Sequence, residues 1–208
     1  MADWLPRLAA ELNLSRLGFE AGDITVAMYQ QLTDISAKAK PRLELVPTNG
    51  LVESLRARKE PEEIEFIMKA AEISDSAFQY IEAEIKAGMT ETEVAWEIEK
   101  FMRDKGSQTL PFNVIVASGP NSALPHAKPS SRPVQTGEPI LLDIGARVSG
   151  YGSDLSRTIC LGTPDDTFKK IYDIVLGAQL AVTAIIKEGM TGEQDDSLAR
   201  TIIEQAGY

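Results

Sequence analysis

Asp143 and Asp154 flank a short Gly- and Ser-rich stretch, Gly145-Ala-Arg-Val-Ser-Gly-Tyr-Gly-Ser153. The segments on either side, Pro139–Gly145 and Ser156–Leu161, carry the apolar and β-branched residues of strands. The expected arrangement is strand, turn, strand. A turn centred on Val148-Ser149, just before Gly150, puts Asp143 directly opposite Asp154, with Cβ atoms about 5 Å apart. Two carboxylates so placed repel, and each loses hydration in a partly buried sheet. A divalent cation resolves both problems, because carboxylate oxygens replace its water and it neutralises their charge. Asp143 also interrupts the apolar run Ile140-Leu-Leu-Asp-Ile144, where an unpaired carboxylate is costly. Two other arrangements satisfy the same residues. Asp143 could pair with Arg147 or Arg157, or a bulge could turn one aspartate to the other face.

The chain has a single histidine and a single cysteine among 208 residues. His126 lies in Gly119-Pro-Asn-Ser-Ala-Leu-Pro-His-Ala-Lys-Pro-Ser130, a run of turn formers between two strand signals. Its imidazole could donate a hydrogen bond to a substrate carbonyl or to an oxyanion. Taken alone, it reads more simply as a surface-loop histidine. Cys160 sits in an apolar strand with no second histidine to activate it, and reads as a packed thiol. With so few soft ligands, a Cys/His zinc site cannot be assembled from this chain. Carboxylates favour hard or borderline ions such as manganese or magnesium. Gly145–Gly150 has phosphate-loop spacing, but Tyr151-Gly152 follows where Lys-Ser/Thr is required.

A formal net charge of −10 argues against a nucleic-acid partner, which needs Lys and Arg to displace counterions. No uncharged apolar run approaches the roughly 20 residues of a membrane helix, so no membrane association is expected. The first residues lack the basic head and apolar stretch of a secretory signal. One cysteine forms no internal disulfide, which fits a cytoplasmic setting.

The elements that must position these groups follow from periodicity. The first segment, to about residue 55, looks irregular. It has an amphipathic start (Trp4, Leu5, Leu8, Leu12), an apolar stretch at Leu17–Phe19, a helix from Asp23 and a run at Leu43–Val46. A strong helix opens at Glu60-Pro61, with Glu62, Glu63 and Glu65 complementing its dipole. Ile64, Ile67, Ala71, Ser74, Phe78, Ile81 and Ile85 keep helical spacing until Gly88. Thr90-Glu-Thr-Glu93 is a capping box for a second helix that ends at Gly106. Phe78, Trp96 and Phe101 read as core. Strand signals follow at 112–117, 139–145 and 156–161, and helices return at Pro164 and at Thr191-Gly-Glu-Gln194.

The second helix pair repeats the first. Lys86-Ala-Gly-Met-Thr90 matches Lys187-Glu-Gly-Met-Thr191, and Gly106 and Gly207 follow at the same interval. Strands follow the first pair but not the second, so the chain is expected to be a fragment. A complete small domain of different fold is the alternative.

Several segments resemble the Xaa-Pro aminopeptidase and prolidase family. They are Leu55-Arg-Ala-Arg-Lys-Glu-Pro-Glu-Glu-Ile64, Val116–Pro129 around His126, Gly137–Ala146 around Asp143, and Gly150–Thr158 around Asp154. The resemblance implies an α/β (α+β) pita-bread fold, incomplete here, with a curved antiparallel sheet and flanking helices. Residues 1–55 would be the remnant of an N-terminal domain and linker, and 56–208 the first part of the catalytic domain. It implies that Asp143 binds one metal, that Asp154 bridges two (manganese, cobalt or zinc), and that His126 contacts the substrate and the transition state. The expected substrate is a peptide or dipeptide with proline in second position, and the complete enzyme is expected to be a homodimer. The family's remaining ligands, a histidine and two glutamates, have no counterpart before Tyr208, so weak activity is expected of 1–208 alone. Other readings are a related pita-bread hydrolase, of creatinase or methionine aminopeptidase type, and a non-catalytic pita-bread peptide-binding module.

Overall fold

In the order of the chain, local signals and long-range pairing build two units, described by a computed structural model at residues 4–40 and 42–208. The units are Met1–Glu60 and Pro61–Tyr208. In the first, α1 (Trp4–Glu11) precedes β1 (Arg16–Glu20), α2 (Val26–Lys38), β2 (Glu44–Thr48) and α3 (Leu51–Ala57). The segment is therefore regular rather than irregular. β1 and β2 pair in parallel, with Leu17 facing Leu45, and the intervening helix makes the crossover that parallel strands require. Thr25 caps α2 by accepting from the Met28 N–H at 3.2 Å. Leu5, Leu32 and Ile35 close one small core, and Ala9, Ala39 and Leu43 another.

The second unit begins with α4 (Pro61–Glu84) and α5 (Glu91–Asp104). Pro61 takes the first helical position, where its missing N–H costs nothing. The capping box forms as expected: Glu93 N–H donates to Thr90 Oγ at 3.2 Å, and Thr90 N–H donates to Glu93 Oε2 at 2.7 Å. Buried faces run along Ala70, Ser74, Ala77 and Ile81 on α4, and Val94, Ile98 and Met102 on α5. Trp96 departs from the core expectation at 59% exposed, because it lies off the Val94–Ile98–Met102 stripe.

β3 (Ile115–Ser118), β4 (Pro139–Ile144) and, after the hairpin below, β7 (Leu155–Cys160) form an antiparallel sheet in the order β3-β4-β7. β3 starts later than the strand expected from Phe112, because the Pro111–Phe112 corner is held against Gly145 rather than paired. Alternation along β4 buries Ile140, Leu142 and Ile144 against α4 and α5, and leaves Leu141 and Asp143 on the less covered face. The chain then runs through α6 (Asp166–Ile185), capped by Asp165, and α7 (Gly192–Gln205), which carries the second capping box at Thr191 and Gln194.

Candidate metal centre

Between β4 and β7 the chain makes a tight hairpin of β5 (Arg147–Val148) and β6 (Tyr151–Gly152). The turn centres on Ser149-Gly150, both at positive φ (49° and 88°), not on Val148-Ser149. A β-branched valine resists positive φ, whereas Gly150 adopts it freely, so the two-residue turn moves one position along. This shifts the whole register. Asp143 faces Ser156, not Asp154, and accepts a hydrogen bond from Ser156 Oγ at 2.9 Å on Oδ1. Asp154 lies two residues before Ser156 and therefore keeps the same face as a diagonal neighbour of Asp143.

The two carboxylates remain close enough to influence each other. Burial raises the Asp143 pKa above the usual carboxylate range; Ser156 opposes that rise, and the charge of Asp154 and a hydrogen bond shared with it add to it. His126 pulls in the other direction, so its ring also lies within electrostatic reach of Asp143. The structure thus brings Asp143 and Asp154 together, with His126 at longer, electrostatic range of Asp143. Neither alternative for Asp143 is realised. The β4–β7 pairing runs without a bulge from Pro139 to Ile144, and Arg157 donates to the Ser156 carbonyl at 2.8 Å.

Sequence reading missed the supports behind Asp154. At Ser153 the ladder is interrupted, and its side chain takes the place of a backbone partner. Ser153 N–H donates to the Ala146 carbonyl at 2.9 Å, and Ala146 N–H donates to Ser153 Oγ at 3.0 Å. Ser153 Oγ also lies 2.7 Å from Ser74 Oγ and 3.1 Å from the Ala70 carbonyl, so the hairpin is tied to α4 immediately before Asp154. Gly145 makes this approach possible: a Cβ there would collide with the Ser153 carbonyl and with the Pro111 and Phe112 rings. Tyr151 adds a further tie, donating to Glu63 Oε1 at 2.5 Å and stacking on Phe66.

A pair of neighbouring carboxylates, with burial and the charge of Asp154 both disfavouring the ionised form of Asp143, suits a hard or borderline divalent cation. Two ligands do not close a coordination shell, and among the described residues no group of three or more His, Cys, Asp or Glu is arranged to hold a metal. No helix among the described residues is long and apolar enough to cross a membrane.

The fold and this hairpin place the chain among pita-bread metallopeptidases, in which an antiparallel sheet backed by helices carries the site. Residues 65–208 match the model of metallopeptidase family M24, and the chain belongs to that family. An uncharacterized peptidase of Bacillus subtilis is 42% identical over 196 residues, a match covering 94% of this chain and 54% of that protein. Among solved structures, an Xaa-Pro dipeptidase from Bacillus anthracis superposes with a TM-score of 0.94 at 42% identity, covering 100% of this chain and 57% of the other. An X-Pro aminopeptidase from Thermotoga maritima superposes with a TM-score of 0.91 at 35% identity, covering 100% and 58%. The chain spans about half the length of the curated relatives it matches.

Proposed function

We propose that Asp143 and Asp154 supply two carboxylate ligands of a divalent-metal centre, and that the protein containing this chain hydrolyses the Xaa-Pro bond of dipeptides or at the N-terminus of peptides. The observation that carries the reading is the pair itself: two aspartates share one sheet face, close enough for the charge of one to raise the pKa of the other. The similarity to an Xaa-Pro dipeptidase and an X-Pro aminopeptidase supports the proline specificity.

When bound, a pair of manganese, cobalt or zinc ions supplies Lewis acidity and lowers the pKa of coordinated water. Asp143 and Asp154 are the residues that would hold these ions. His126 contributes a ring N–H to the carbonyl oxygen of the scissile bond and to the negative charge that grows there. Ser156 orients the Asp143 carboxylate through its hydroxyl. By itself the 208-residue chain binds metal weakly and turns over little substrate, because two carboxylates leave the shell open. The setting is cytoplasmic and the full-length enzyme a homodimer, readings that rest on the family resemblance and the lone cysteine.

The test is substrate profiling of the full product of the gene that encodes this chain, in manganese. Cleavage of Xaa-Pro dipeptides or peptides in strong preference to Xaa-Ala and Met-Ala counterparts is expected. His126→Ala should lower kcat by about 10²–10³ with metal content intact. Indifference to proline, or preference for an N-terminal methionine, would overturn the proposal.

A further inference from the structure

Glu91 is a carboxylate with 0% exposure on the first turn of α5, held by hydrogen bonds from neutral groups. A buried charge of this kind is tolerated only when hydrogen bonds replace its lost water. The partners come from the end of β3 and from the β3–β4 connection. Oε1 accepts from the Ser118 N–H at 2.7 Å and from Ser118 Oγ at 2.8 Å. Oε2 accepts from the Ser130 N–H at 3.1 Å and from Ser130 Oγ at 2.6 Å. Asn121 Nδ2 bridges both oxygens at 3.1 Å each.

Ser118 and Ser130 are the two ends of the loop that carries His126. A single carboxylate therefore closes that loop, one oxygen per end. Between the two ends the chain makes a 3-10 turn over Gly119–Ala123 and a further turn at Pro125-His126, with His126 itself exposed. Arg132 reinforces the closed end. It donates to Ser118 Oγ at 2.6 Å and pairs with Glu138 at 2.6 Å. Loop closure carries an entropic cost, and a clamp with charge-assisted bonds offsets it at the point where the ends meet.

We propose that Glu91 is the positioning residue for His126: its buried carboxylate staples both ends of the Ser118–Ser130 loop and thereby fixes where the imidazole is presented. This deepens the metal-centre reading, on which the value of a fixed His126 rests. A plain helix-capping role for Glu91 would instead act on α5 and not on the loop.

The experiment uses the 208-residue chain and two observables: amide exchange by residue, and the relaxation of the imidazole signal, which is unambiguous because His126 is the only histidine. In E91Q, the Leu124 and Ala127 amides, which hydrogen-bond within the loop, should exchange about 10- to 100-fold faster. The imidazole signal should narrow as the ring gains motion, while the Val116, Leu142 and Ile98 amides keep their protection. E91D keeps the charge but is one methylene short, and should recover only part of the loop's protection. Ser130→Ala removes one partner at the far end and should give the same local pattern at smaller size, even if E91Q does not fold. Unchanged loop exchange and imidazole relaxation would overturn the proposal, as would a loss of protection spread evenly over the sheet and α5. A parallel manganese titration separates the two readings. Wild type and E91Q should bind alike; absence of binding in the wild type would sink the metal centre and leave the clamp to be decided by exchange.

Discussion

The pair α4–α5 and the pair α6–α7 are written in the same local code and meet different fates. Each is joined by a Lys-x-Gly-Met-Thr turn with its glycine at positive φ (Gly88 at 96°, Gly189 at 88°), and each second helix opens with a capping box. Yet the first pair buries residues along its whole length, whereas the second buries only Ala178. The difference lies in what each pair meets. α4 and α5 pack on the β3-β4-β7 sheet, while α6 packs on α7 and leaves Ile171, Tyr172, Val175, Leu176 and Leu180 exposed. Local signals make the helices; the sheet decides which become core.

Truncation at matched positions should break the symmetry most visibly. In the repeat, Met102 corresponds to Ile203; Met102 is fully buried and Ile203 half-buried. Met102→Ala should destabilise by about 3 kcal/mol and Ile203→Ala by about 1 kcal/mol or less, read from urea midpoints. Equal losses would mean that the second pair is as well packed as the first.

A smaller effect separates the pairs by pH. Burial alone would raise the Glu91 pKa, but bonds from Ser130, Ser118 and Asn121 outweigh it and hold the carboxyl below its usual range. A lowered folded pKa gives stability that is fully present above the unfolded value of about 4.3 and is lost as pH falls through the folded one. The position matching Glu91 in the second pair is Gly192, which has no carboxyl to titrate. Acid should therefore loosen the His126 loop in the wild type. In E91Q stability should start about 2 kcal/mol lower and show a shallower acid slope. Denaturant titrations at stepped pH check both the offset and the slope.

The caps should sharpen the comparison from the other side. Thr90→Ala and Thr191→Ala each remove a capping box of like geometry, and each should cost about 1 kcal/mol of local helix stability. Amide exchange at the first turns of α5 and α7 measures this directly. Matching losses would confirm that the local code is the same in both.

These contrasts also show what could be read from the sequence. The four long helices were legible because Pro61, the Thr90 and Thr191 boxes and the glycine stops act within a turn or two of the residues they organise. The strands at Asp143 and at Ser156 were legible to within a residue, as was the closeness of Asp143 to Asp154. The register was not, although a signal was present: Val148 cannot easily take the positive φ that Ser149-Gly150 adopts, so the turn had to fall one step later. The parallel β1–β2 pair escaped because its partners meet only across α2, and short apolar runs carry no sign of a distant mate. Glu91 gave no signal, since an acidic residue at a helix start is ordinarily a solvated complement to the dipole. Ser153, Ser74 and Gly145 are visible only once the hairpin is laid on α4.

The central claim is that the hairpin presents Asp143 and Asp154 to a common divalent cation, and manganese calorimetry on the 208-residue chain tests it most directly. The wild type should bind weakly, and Asp143→Asn and Asp154→Asn should each abolish the heat while keeping the folded far-UV spectrum. Binding that survives both substitutions, or none in the wild type, would contradict the claim.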